Sequence, residues 1–302
     1  MSSPFRAIIV LLCSMTACGG GGGGTTCTTD DQCPSHFCRA DGTCGPADMA
    51  DAGSAGSDGG GGIDAPNAAC IPNHDGMLTR AEVPLAAGAM ATFRIATNAT
   101  WNTAGHANGD GSRTWDLSGQ LANDADTLVT LGSPQGAWWQ ADFPNAAYSG
   151  VLASGSDLQG VFAIDNNGVT LLGVVSPTGG TYKTELTYDP PAKILAFPFM
   201  AGSTWMSSST VSGYAQGVIV GYTEAYDSSV DQVGTMTTPY GMFPVVRIAT
   251  NLTRTSGFTT LLTKRTFAWA AECFGTVATV SSQDNATATE FSDDAEVRRL
   301  AP

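Results

Sequence analysis

Positive charge is scarce in this chain. The 13 Lys and Arg stand against 27 Asp and Glu, for a formal net charge of -14. Phosphate backbones are bound through a basic footprint, so nucleic acid is excluded as a partner, and so is electrostatic docking on anionic lipid. Charge of either sign is sparse, at 13% of residues. Histidine is rarer still, and from Cys70 onward only His74 and His106 occur. The sequence has no Gly-x-Ser-x-Gly elbow, no Ser-x-x-Lys pair and no His-Glu-x-x-His, so nucleophilic and zinc-protease chemistry are poorly supplied. No apolar run reaches the roughly 18 residues of a membrane span. What is plentiful is apolar content, 42%, enough for a core, and 37 glycines clustered in a few segments.

Residues 1–18 read as an export signal: Arg6 starts it, and Ala7 to Leu12 form an apolar segment too short to cross a bilayer. The following Ser14-Met15-Thr16-Ala17-Cys18 resembles the lipobox of bacterial lipoproteins, with Met15 where that family prefers Leu. The resemblance implies acylation of Cys18. Gly19 takes the place of an Asp retention signal, which implies an outer-membrane anchor in the cell envelope, periplasmic or surface-exposed. If the lipobox is not used, the chain is secreted.

Eight cysteines are present. With Cys13 leaving in the signal and Cys18 acylated, six remain, and an even remainder in an exported chain favours disulfides. Cys27, Cys33, Cys38 and Cys44 lie within a segment too short to bury a core, so bridges must hold it. His36 could join them on zinc, but the paired C-x2-C spacing of zinc ribbons is absent. The stretch resembles the Dickkopf-like cysteine-rich repeats of secreted myxobacterial proteins. That resemblance implies Cys27–Cys38 and Cys33–Cys44, although four cysteines allow three connectivities. Cys70 and Cys273 remain as a third pair, closing a loop of about 200 residues that contributes roughly 5 kcal/mol in the chain-entropy model.

The resulting organisation is a signal with lipobox (1–18), a Gly-rich tether (19–26), a cysteine-rich module (27–44), a Gly/Asp/Ala linker (45–69) and a main domain (70–302). The linker has only Met49 and Ile63 as sizeable apolar side chains, too few to offset the entropy of ordering it. From Cys70 onward Thr, Val, Ile and aromatics dominate, with turn residues every 8–12 positions, the signature of antiparallel β structure. The expected strands are 91–97, 113–117, 127–131, 161–164, 169–175, 181–188, 194–197, 210–213, 218–231, 234–238, 243–253, 259–269 and 276–282. Asn166-Asn167-Gly168 is the best hairpin turn, since Asn and Gly tolerate positive φ. Thr79-Arg80-Ala81-Glu82 has the capping-box pattern of a short helix. Arg94-Ile95-Ala96-Thr97-Asn98-Ala99-Thr100 is echoed by Arg247-Ile248-Ala249-Thr250-Asn251-Leu252-Thr253 without further similarity around it.

Three segments of the carboxyl half carry another resemblance. They are Ala201-Gly202-Ser203-Thr204-Trp205, Val233 to Phe243, and Trp269 to Val277. They resemble strands of periplasmic β-proteins related to the lipoprotein carriers LolA and LolB. Tyr240 and Ala271-Glu272-Cys273-Phe274 depart from that pattern. The resemblance implies a curled antiparallel sheet and, in some relatives, an apolar concave face that holds acyl chains. The expected class is therefore all-β, a curled antiparallel sheet or a β-sandwich.

Candidate sites are few. Asn73, Asp75 and Glu82 fit loop positions three, five and twelve of an EF-hand-like segment, which makes calcium a candidate cofactor, but Ile71 occupies the first ligand position. A tight turn leading into a capped helical turn accounts for the same residues. Trp138-Trp139 is the best binding hint, because adjacent residues on a strand face opposite ways and an exposed Trp stacks on sugar or grips peptide. Asp227/Asp231 and Glu185/Asp189 are the acid pairs available for glycosidase-type chemistry. Three functional readings follow: a non-enzymatic binding or structural module on the envelope with a protein, glycan or lipid partner, a carrier of lipid or another apolar ligand, and a cell-surface hydrolase.

Overall fold

A computed structural model of the chain describes residues 70–302. Cys18, the Cys27, Cys33, Cys38 and Cys44 module and the linker lie outside the described residues. Sixteen strands occur among them. The first are β1 (Met77–Leu78), β2 (Met90–Thr100), β3 (His106–Ala107), β4 (Arg113–Asp116) and β5 (Ala125–Thr130). Then come β6 (Tyr148–Val151), β7 (Gln159–Asp165), β8 (Gly168–Val175), β9 (Glu185–Ala196), β10 (Phe199–Met200) and β11 (Thr204–Ala215). The last are β12 (Val218–Thr237), β13 (Met242–Ser256), β14 (Thr259–Ala271), β15 (Gly275–Ser282) and β16 (Asp293–Leu300).

The domain is all-β, and its sheet is curled. Its main path runs β5-β2-β16-β15-β14-β13-β12-β11-β9-β8-β7-β6, antiparallel throughout. Most neighbours are consecutive in the chain, as hairpin connections demand. The two ends of the path nearly meet: Gly132, just past β5, exchanges both backbone hydrogen bonds with Ser149 on β6, at 2.7 and 2.9 Å. Closure of this kind removes most of the exposed edge.

Strand alternation sorts side chains to two faces. The concave face carries Phe162, Val169, Leu195, Trp205, Val230, Val246, Ile248 and Ala268, contributed from strands all round the curl. Leu171, Leu186, Tyr188 and Val211 continue it toward one end. On the convex face of β11 lie Ser208, Thr210 and Ser212, all exposed.

Part of the convex face is covered by residues 101–124. Where β11 ends, β4 pairs in parallel with the free edge of β12, Gly234 opposite Arg113. A Cβ on Gly234 would lie 1.8 Å from the Arg113 carbonyl oxygen, so only glycine admits this approach. Trp115 and Leu117 then pack with Phe267, Trp269 and Val280. Two buried arginines clamp the cover. Arg247 donates to Asp231 (3.0 and 2.7 Å), to Glu290 (3.1 and 2.7 Å) and to the Thr103 carbonyl (2.8 Å). Arg299 donates to the carbonyls of Leu117 (2.9 Å) and Gly119 (3.1 Å) and to Asp124 (2.6 Å).

One end of the curl is filled by residues 70–89. β1 pairs with β10, and Leu78 and Val83 enter the concave core. The Cys70–Cys273 disulfide fixes this segment to the β14–β15 turn across a separation of 203 residues. Thr79–Glu82 forms a single 3-10 turn, Arg80–Glu82, rather than an α-helix, with Glu82 Oε2 accepting from the Thr79 backbone N–H at 2.8 Å.

Candidate ligand-binding site

The opposite end of the curl stays open. The β6–β7, β8–β9, β11–β12 and β13–β14 connections gather there. Behind them lies a cavity of about 1040 Å³. Its wall is apolar: Leu171, Val174, Leu186, Val220 and Leu252 all project into it. Its floor is polar and rests on strand alternation in β12, where Tyr222, Glu224 and Tyr226 point the same way.

Glu224 is buried, 1% exposed, and every recorded partner of its carboxylate lines the same cavity. Tyr188 Oη on β9 donates to Oε2 at 2.8 Å and Tyr226 Oη donates at 2.6 Å. From β13, Arg254 donates through Nε at 2.8 Å to Oε1, with Nη2 at 2.6 Å. The guanidinium also lies 4.5 Å from the Tyr222 ring centroid, a cation–π arrangement. A buried carboxylate is tolerated only when its charge is matched and its lone pairs are filled, and this site supplies both. Burial first, then the Tyr226 and Glu224 charges for Tyr188 and the Glu224 charge for Tyr226, push both hydroxyls far above the usual phenol range. Both remain donors at any physiological pH. Arg254 keeps about a third of its side chain exposed to the cavity.

A loop narrows the opening. Residues 152–158 fold toward the lumen, where Ser154 N–H donates to Glu296 Oε2 at 2.5 Å and Arg298 Nη2 donates to the Leu152 carbonyl at 3.2 Å. Leu158 packs on the concave core. The mouth thus mixes apolar side chains with polar ones such as Ser156, Asp157 and Lys183, above a charge-paired, hydrogen-bonding floor. Such a lining has the chemistry to take a molecule with both an apolar and a hydrogen-bonding part.

The residues singled out from sequence lie elsewhere. Trp138 and Trp139 occur in a run of turns between β5 and β6, not on a strand. Trp139 is buried against Phe143, Val161 and Val175 on the convex side. Trp138 is half-buried, donates Nε1–H to the Ser176 carbonyl at 3.0 Å and lies under the Lys183 ammonium at 5.0 Å. In the loop before β1, the Asn73 side chain accepts from Asp75 N–H (3.0 Å) and Asp75 accepts from Met77 N–H (2.8 Å). Glu82 is turned to Thr79. Among the described residues no group of three or more His, Cys, Asp or Glu is placed to hold a metal ion. The acid pairs do not converge: Asp231 is engaged by Arg247 and Glu185 by Lys183, while Asp227 and Asp189 are exposed.

Glu224, Tyr188, Tyr226 and Arg254 were not singled out from the sequence. The readable signal was Tyr222-x-Glu224-x-Tyr226, a carboxylate between two phenols on one face of a strand. No protein-family model, no curated protein and no solved structure matches this chain.

Proposed function

We propose that residues 70–302 form a non-enzymatic binding domain of an exported lipoprotein, and that it carries an amphipathic small molecule at the open end of its curled sheet. The observation that carries this reading is the cavity of about 1040 Å³, with Leu171, Val174, Leu186, Val220 and Leu252 in its lining and a buried Glu224 paired with the partly exposed Arg254 at its floor. Its size is at the upper end of small-ligand sites. The ligand's apolar part lies along Leu171, Val174, Leu186 and Leu252. Its hydrogen-bonding group meets the outer N–H groups of Arg254. Acylation at Cys18, expected from the sequence, holds the domain to the outer membrane.

Native mass spectrometry of the mature protein, extracted gently from its own host envelope, tests the proposal. Wild type carries an added mass of a small lipid-like molecule. Leu186→Trp, which fills the cavity, loses that mass while keeping its fold by circular dichroism. Wild type that shows no adduct, or a variant that keeps it, removes the carrier reading.

A further inference from the structure

The open end has a second property, independent of what fills the cavity. Three segments there contain no charged residue at all: 176–182, 209–223 and 255–263. Although the chain has other uncharged runs of similar length, 127–141 and 232–246, these stretches leave the tips without an ionised side chain. They are also where large apolar side chains are exposed. Tyr182 is 83% exposed and Ile219 77%, and Phe258 projects fully into solvent. Tyr214, Val218 and Leu261 accompany them. An apolar side chain at a hairpin tip has no packing role, since the turn itself needs only conformational freedom. Gly217, at φ 79°, and Gly257, at φ 57°, supply that.

The tips belong to one surface. Gly217 N–H donates to the Lys183 carbonyl at 3.0 Å, joining the β8–β9 loop to the β11–β12 tip. Thr223 pairs with Thr255, so β11–β12 runs about four residues past the β13–β14 tip, roughly 13 Å at strand rise. Of the charges at this end, Lys183 is paired with Glu185 and Arg254 with Glu224, while Asp157 on the β6–β7 loop is exposed. The β15–β16 connection, which carries Asp284 and Glu290, turns to the convex face, where Glu290 meets Arg247.

We propose that this uncharged end is a membrane-contacting surface: Tyr182, Tyr214, Val218, Ile219, Phe258 and Leu261 enter the interfacial layer of a bilayer and hold the cavity mouth against it. A lipid surface fits better than a flat protein partner. The side chains stand on separate tips of unequal reach, which a fluid layer accommodates and a rigid face does not. Tyr at the rim suits the headgroup boundary, where its ring and hydroxyl meet different media.

Flotation with neutral phosphatidylcholine vesicles tests this. The full chain carries Cys18→Ala so that no acyl anchor contributes, and is compared with the same chain bearing Ile219→Asp and Phe258→Asp. The expected result is vesicle binding by the first and a loss of at least about tenfold in bound fraction for the second. Unchanged urea midpoints show that both are folded, as the exposure of both positions requires. No vesicle binding by the Cys18→Ala chain, or equal binding by the two, overturns the proposal. So does sedimentation equilibrium showing a dimer that the double variant dissolves, which makes the tips a contact between copies. None of these outcomes bears on the adduct seen in native mass spectrometry, so failure of the membrane surface and failure of the carrier reading are separable.

Discussion

Asp294 should make the folded domain more stable in mild acid than at neutral pH. It lies on β16 opposite Ala99 and Ser282, is 0% exposed, and both carboxylate oxygens lack a hydrogen-bond partner. The nearest help is the Trp101 backbone amide, which favours the ionised form without reaching hydrogen-bond geometry. Burial dominates and, with Asp293 beside it, raises the group from 3.8 to about 7. The sign follows from linkage. Below about pH 4 the acid is protonated in both states and contributes no pH dependence. Between about pH 4 and pH 7 the unfolded chain releases its proton while the folded chain keeps it, so folding is progressively disfavoured as pH rises. Above pH 7 the penalty is complete. A shift of about three units corresponds to about 4 kcal/mol.

Asp294→Asn removes the titration and nearly conserves shape. Its unpaired amide costs something, but equally at every pH. The informative quantity is therefore the difference in unfolding free energy between variant and wild type. It should rise in favour of the variant by about 3 kcal/mol from pH 4.5 to pH 8. Urea unfolding followed by tryptophan fluorescence, with the disulfide intact, measures it. Curves for the two proteins that stay parallel within about 1 kcal/mol across this window would refute the reasoning.

Three further outcomes are expected. Replacing Cys70 and Cys273 together by Ser should lower stability by up to about 5 kcal/mol, less whatever structure the unfolded chain retains, as read from oxidised wild type against the variant in urea. Glu224→Gln leaves Arg254 without its counter-ion and should cost about 3 kcal/mol together with loss of the bound molecule, seen as a lower midpoint and a missing mass adduct. Arg247→Lys cannot serve Asp231 and Glu290 bidentately or stack on Phe267, which lies 4.2 Å away; about 2–3 kcal/mol should be lost in urea unfolding while ligand binding persists, because the latch is on the convex face.

Much of the fold was legible because strand alternation and turn chemistry are local. Asn166-Asn167 does turn β7 into β8, with Asp165 Oδ1 accepting from the N–H groups of Asn167 and Gly168. Where long-range structure decides, reading failed. The expected strands 181–188 and 194–197 belong to one bent strand, β9, carried through Pro190 and Pro191. Likewise 218–231 and 234–238 are the single strand β12, which bends at an irregularity between Val230 and Gln232. β16 was missed altogether. Asp293-Asp294-Ala295-Glu296-Val297-Arg298-Arg299-Leu300 reads as a polar tail, because five of its eight residues carry charge. Glu296 pairs with Arg298 on the concave side, and Arg299 reaches Asp124 beneath the convex cover. Only tertiary partners make such a segment a central strand.

The same reasoning explains why the cavity floor escaped notice while the tryptophans drew it. A Trp pair advertises itself by size, yet size is what a core uses, and Trp139 went to the core. A charged residue inside an otherwise aromatic, alternating strand is the rarer event, because burying it demands partners from elsewhere in the chain. Tyr188 and Arg254 lie 36 and 30 residues from Glu224. Nothing local to β12 announces them. The Arg94 and Arg247 echo shows the same logic in a legible form. Each Arg sits mid-strand and reaches an Asp on the neighbouring strand through two bonds, Asp126 for one and Asp231 for the other. There the repeat marked the arginines but could not name their acids. A buried ionisable residue thus announces either a distant partner, as Glu224 and Arg247 do, or a shifted titration, as Asp294 does.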